Sequence, residues 1–130
     1  MTQNEHPVVA ALVSLIILQA IMLGALFADV APHPPAQIPL FGIAPFLAVA
    51  MAAAISAIIM GPLTTRSGQV LTIFATFAAL LSFGPQKYVD AQFAQIWPAV
   101  ISGQIAALII LTKIIQNQFG KSASKQGANA

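Results

Sequence analysis

Two side-chain amides, Gln19 and Gln104, interrupt long apolar runs and are the groups best placed to do chemistry in a low-dielectric setting. A primary amide carries two donors and an acceptor with two lone pairs. Without water, each must find a neighbouring helix, a bound molecule or a polar pathway. The hydroxyls of Ser14, Ser56, Thr72, Thr76, Ser82 and Ser102 lie in the same runs. A hydroxyl becomes a nucleophile only beside a base, and the runs supply none. Bonding along or between helices is their expected role.

Ionisable groups avoid the runs. Asp29, His33, Lys87 and Asp90 all sit at or beyond run ends, and Glu5 and His6 precede the first run. The intramembrane acids and bases that mark pumps and proton relays are therefore missing from the centre of every run. Cysteine is absent, and one imidazole in a loop is too little for a metal site. No catalytic or metal-binding residue is expected, and the chain reads as a non-enzyme. No cofactor is specified, although pigment or lipid would fit gaps beside an alanine-rich helix.

Composition says what surrounds these residues. Of 130 residues, 58% are hydrophobic and 6% charged, and mean hydropathy is +0.88. Three acidic and five basic side chains cannot cover the surface of a water-soluble domain, of which about a quarter is ordinarily charged. The solvent is lipid. The five cations form no basic face in the sequence, so no nucleic-acid partner is expected. The first run, Pro7 to Ala28, holds no charge and is longer than the core of a typical signal peptide; it is read as a retained span.

Four spans are predicted, at about 7–28, 41–61, 66–84 and 97–115, forming one transmembrane domain over 1–116. A mobile polar tail is predicted over 117–130. Pro7, Pro45 and Pro98 are placed in first turns, where a missing N–H is harmless. A rigid connector containing four prolines joins the first two spans, from Asp29 to Gly42.

Helical periodicity then proposes faces. In span 1, Ala10, Ser14, Ile17, Ile21, Gly24 and Ala28 share one side, with Gln19 opposite. Small residues let helix backbones approach closely in lipid, so Ser14, Gly24 and Ala28 are predicted helix contacts. On this reading Gln19 faces a partner outside the bundle. Span 2 contributes Ala53, Ala57 and Gly61, and its alanine content places it at the bundle centre. Thr72 and Thr76 stand on the small side of span 3, opposite Val70, Phe74, Phe77 and Leu81. Gly103 and Ala107 form a small face on span 4. Tyr88, Phe93 and Trp97 are predicted interfacial anchors, in an amphipathic segment at headgroup depth.

The fold expected is an all-α integral membrane protein, a four-helix transmembrane bundle. Arg66, Lys113, Lys121 and Lys125 fall on the side of the termini and Lys87 on the other, so both termini are expected in the cytoplasm. In size and span count the chain resembles small multidrug exporters. Those carry a glutamate in their first span, this chain does not, and the resemblance stops at architecture. The function expected is that of a non-catalytic accessory subunit within a larger membrane complex, such as an energy-transducing or photosynthetic one, in a bacterial inner or thylakoid-type membrane. The alternative is a small homo-oligomeric channel or transporter lined by Gln19, Thr72, Thr76 and Gln104. The partners expected are the lipid bilayer and other membrane subunits or further copies of the chain.

Overall fold

A computed structural model of the chain describes residues 2–30, 40–89 and 93–129. His33 and the prolines beside it, and Asp90, lie outside the described residues. The described chain is helical: α1 His6–Ala28, α2 Leu40–Met60, α3 Arg66–Phe83 and α4 Phe93–Ala128, with a 3-10 turn at Pro85–Val89 before α4. All four helices are long and apolar enough to cross a membrane.

The helix ends follow from local chemistry. Pro7 stands in the first turn of α1, where its fixed φ suits the helix. That helix ends at Asp29, which adopts the left-handed conformation (φ 53°) and donates its N–H to the Ala25 carbonyl. Aspartate is one of the few side chains that tolerates this geometry. The Thr65 side chain caps α3 by accepting the Gly68 N–H at 3.0 Å.

Two helices begin earlier than periodicity implies. Pro45 and Pro98 lie inside α2 and α4 rather than in their first turns. Both helices therefore surrender one backbone hydrogen bond near their entry. At its other end α4 runs on through the residues expected to be mobile, reaching Ala128. The segment after Pro98 contains no further proline, and extending an existing helix avoids the nucleation barrier.

The helices form a four-cornered bundle. α1 and α3 each pack against both α2 and α4, and α1 also touches α3 across the middle. α2 is thus a corner helix, not the centre. Its Ala50, Ala53, Ala54 and Ala57 face inward, while Val49, Ile55 and Ile59 face outward. α3 is strongly two-sided: Thr72, Ala75, Thr76 and Ala79 are buried, and Val70, Phe74, Phe77 and Leu81 are exposed. The core is completed by Val8, Leu12 and Leu15 of α1 and Ile110 of α4. Small inward residues bring backbones together, and large outward ones suit contact with acyl chains.

Candidate functional site

The turn between α2 and α3 gathers most of the polar chemistry. Gly61 opens it with φ +83°, a conformation that disfavours any side chain. The Thr65 hydroxyl then donates to the Met60 carbonyl at 2.8 Å, closing the turn. At its centre Leu63 is buried, so its own N–H and carbonyl need partners. The N–H donates to Glu5 Oε1 at 3.2 Å, across 58 positions of sequence. The carbonyl accepts from Gln69 Nε2 at 2.7 Å and from Asn117 Nδ2 at 3.0 Å. Gln118 Nε2 adds a bond to Gln69 Oε1 at 3.3 Å. One backbone residue therefore ties the N-terminal segment, α3 and α4 together.

Glu5 is 2% exposed, yet it stays ionised. Burial raises its pKa, but hydrogen bonds from the Thr2 and Leu63 N–H groups and from the hydroxyl and N–H of Thr64 outweigh this. Together they hold the carboxyl below its ordinary value. A depressed folded pKa contributes stability above the unfolded pKa, and that contribution is lost as pH falls through the folded one. Glu5→Gln keeps the shape but sets an amide NH2 among donors. It is expected to cost about 1–2 kcal/mol at neutral pH. The gap between variant and wild type should close on acidification below about pH 4. Unfolding midpoints of both proteins across that range check it; a gap independent of pH overturns the assignment.

Inside the bundle the threonines are satisfied locally. Thr72 donates to the Gly68 carbonyl at 2.7 Å and Thr76 to the Thr72 carbonyl at 2.7 Å. Each hydroxyl spends its one proton on the helix backbone and keeps only acceptor capacity. Gln104 is also engaged: its Nε2 donates to the Phe83 carbonyl at 3.3 Å, and its Oε1 accepts from the Tyr88 hydroxyl at 2.9 Å. Tyr88 stacks obliquely on Phe93, ring centroids 5.2 Å apart. Tyr88 and Gln104 thus fasten the 3-10 turn to α4, while Trp97 stands half-exposed at the same end. Gly103 lies in the same region, tight against α3: a Cβ added there would sit 3.0 Å from the Phe83 Cβ. Ala107 is buried one turn further along α4.

The expected roles of the two sides of α1 are reversed. Gln19 lies on the buried side with Val8, Ala11, Leu12 and Leu15, and is 1% exposed. Its side-chain oxygen and nitrogen have no hydrogen-bond partner among the described residues. The small side faces outward: Ser14, Gly24 and Ala28 are exposed, and a Cβ on Gly24 would meet nothing within 4 Å. Beyond its first turn, and apart from Gln19 and Ser14, α1 is apolar all round, so polarity does not set its orientation. Leu12 and Leu15 fill the interior better than glycine and serine do.

Glu5, Gln69 and Asn117 were not legible as a cluster, since only tertiary closure brings them to Leu63. Among the described residues no group of three His, Asp or Glu side chains could hold a metal ion. Comparison of the chain with protein-family models, with curated proteins and with solved structures finds no match.

Proposed function

We propose that the chain is a non-catalytic membrane subunit that docks other membrane-spanning helices on the outer face of α1. The observation that carries this reading is a contrast between two outward faces. α3 presents Val70, Phe74, Phe77 and Leu81 to its surroundings, as contact with acyl chains favours. α1 presents Ala10, Ser14, Gly24 and Ala28, with Ile17 and Ile21 as the large residues among them. Small residues gain nothing from lipid, but they permit close helix approach. The face also makes no polar demand of its own, because the Ser14 hydroxyl donates to the Ala10 carbonyl at 2.9 Å. The host class proposed is a multisubunit assembly, energy-transducing or photosynthetic, in a bacterial inner or thylakoid-type membrane. A chain whose described residues lie almost wholly in four helices suits such a host.

Gly24→Leu and Gly103→Leu test the reading as a pair. After gentle extraction, the wild-type chain is expected in a hetero-complex well above its own 13.5 kDa. Gly24→Leu should release it from the complex while leaving its unfolding midpoint unchanged. Gly103→Leu should instead lower the midpoint, by about 1–3 kcal/mol of overpacking against Phe83. A Gly24→Leu chain that stays in the complex overturns the docking face. A closed homo-oligomer in place of the hetero-complex favours the second reading, a channel or transporter. That reading rests on the unsatisfied Gln19 inside the bundle, since Thr72, Thr76 and Gln104 already have partners.

Both termini are proposed to be cytoplasmic. Arg66, Lys113, Lys121 and Lys125 border one cavity at one end of the bundle, and basic residues are retained on the cytoplasmic side. The chain lacks cysteine, so Ser124→Cys introduces a single label. In intact cells it should be shielded from a membrane-impermeant thiol reagent; labelling from outside reverses the orientation.

A further inference from the structure

α4 has 36 residues, about 54 Å of helix against about 30 Å of hydrocarbon core. Its last turns therefore stand clear of the spans. Along this stretch Lys113, Asn117, Lys121 and Lys125 recur every four residues, which puts them on one side of the helix. Across from them Arg66 begins α3. Between them is a cavity of about 760 Å³. The amide bonds of Gln69, Asn117 and Gln118 described above brace its wall.

The charge balance of this cavity is one-sided. Four Lys and Arg residues line it, and among the described residues no acidic one does. Glu5, next to the lining residue Asn4, is committed to the Leu63 N–H and to Thr2 and Thr64. Scattered in the sequence, these cations form no basic face; the fold collects them around a concavity. An orientation signal needs only cations on one side of the membrane. It does not need them gathered around a cavity, where like charges repel and field lines concentrate.

We infer that this cavity binds a phosphate-bearing anion through Arg66, Lys113, Lys121 and Lys125. A guanidinium fork takes two phosphate oxygens at once, and ammonium groups supply point charges to the rest. Arg66, Lys121 and Lys125 are exposed, so their charged ends are accessible to such a ligand. The cavity sits where spans meet water, so the phosphate is that of a lipid headgroup or of a soluble phosphate compound. The inference does not depend on the docking face of α1.

The purified full chain separates the two sources. In one arm, detergent-solubilised protein is titrated with inorganic phosphate against potassium chloride of equal ionic strength, reading the unfolding midpoint. In the other, the chain is reconstituted in nanodiscs of phosphatidylglycerol and phosphatidylcholine, and retained lipid is counted by native mass spectrometry. Stabilisation by phosphate beyond chloride identifies a soluble ligand; selective retention of phosphatidylglycerol identifies a headgroup. Either supports the site, provided that Arg66→Gln and Lys121→Gln each weaken the response about tenfold and Lys87→Gln, which removes the same single charge, leaves it unchanged. Unfolding midpoints without ligand show that the variants are folded. No response in either arm, or one that both cavity variants retain, leaves the basic row as an orientation signal only and overturns the proposal.

Discussion

Gly68→Ala is expected to destabilise the bundle by at least ~3 kcal/mol, the upper end of what overpacking costs. The direction runs against helix propensity. Gly68 is the third residue of α3, and alanine in a helix is ordinarily worth about 0.5–1 kcal/mol more than glycine. The structure reverses the sign because a Cβ at Gly68 would collide with the Gly61 carbonyl oxygen and lie 2.8 Å from the Gly61 carbonyl carbon. The obstacle is backbone, so no rotamer change relieves it. At Gly61 itself the first atom a Cβ would meet is the Thr64 hydroxyl, and the obstacle there is the positive φ, which strains any side chain.

The damage from Gly68→Ala spreads because of what Gly61 leads into. Moving Gly61 moves Pro62 and Leu63. The Leu63 N–H then loses Glu5, and its carbonyl loses Gln69 and Asn117. Each is a buried group whose separation from its partner costs about 1–3 kcal/mol. Gly120→Ala is the control, since a Cβ there meets nothing within 4 Å and the helix gains a better former. Unfolding in mixed micelles should show Gly68→Ala well below wild type and Gly120→Ala at or above it. A Gly68→Ala protein as stable as wild type means that the two backbones are not in contact.

The number of long apolar helices and the placement of the first three were legible because each depends on the chain's own length and polarity. Predicted spans at 7–28, 41–61 and 66–84 compare with helices at 6–28, 40–60 and 66–83, whereas the fourth, predicted at 97–115, lies within a longer helix at 93–128. The sidedness of α3 was legible too, since small and large residues segregate there and the two size classes have different uses in lipid. α1 offers no such segregation: Ile17 and Ile21 share its small side, and Ala11 its buried one. Reading small as inward then fails, because filling a core outweighs close approach wherever leucines are available. The polar tail misled for another reason. Its composition describes a free segment, whereas Asn117 and Gln118 are held by Leu63 and Gln69 from the opposite side of the cavity. The Glu5–Leu63 bond was beyond any local reading, since nothing near either residue marks the other.

The buried amide of Gln19 leads to the second large effect. Gln19→Leu is expected to raise the free energy of unfolding by about 1–3 kcal/mol. In wild type both ends of the amide are buried without a partner among the described residues. Once helices separate in a membrane, such a group finds partners, and for that reason hydrogen bonds between spans are worth only about 0.6 kcal/mol on average. The imbalance favours the unfolded side. Leucine is of similar volume, has no polar atoms and joins Leu15, which lies one turn earlier on the same buried side. The reciprocal change, Leu15→Gln, adds a second amide there and should lower stability. Lower stability in Gln19→Leu shows that the amide is satisfied within the bundle, and the argument from its unmet groups falls. Higher stability sharpens the functional question. Natural chains rarely sit at their stability optimum, so a destabilising residue marks a functional one only when its replacement also changes assembly. Recovery of the hetero-complex from Gln19→Leu then separates the two readings. Complex retained at full level assigns docking to the outer face of α1 and leaves Gln19 outside that role. Complex lost from a more stable chain makes the bundle interior, not its outer face, the surface that the partner or its bound molecule reaches.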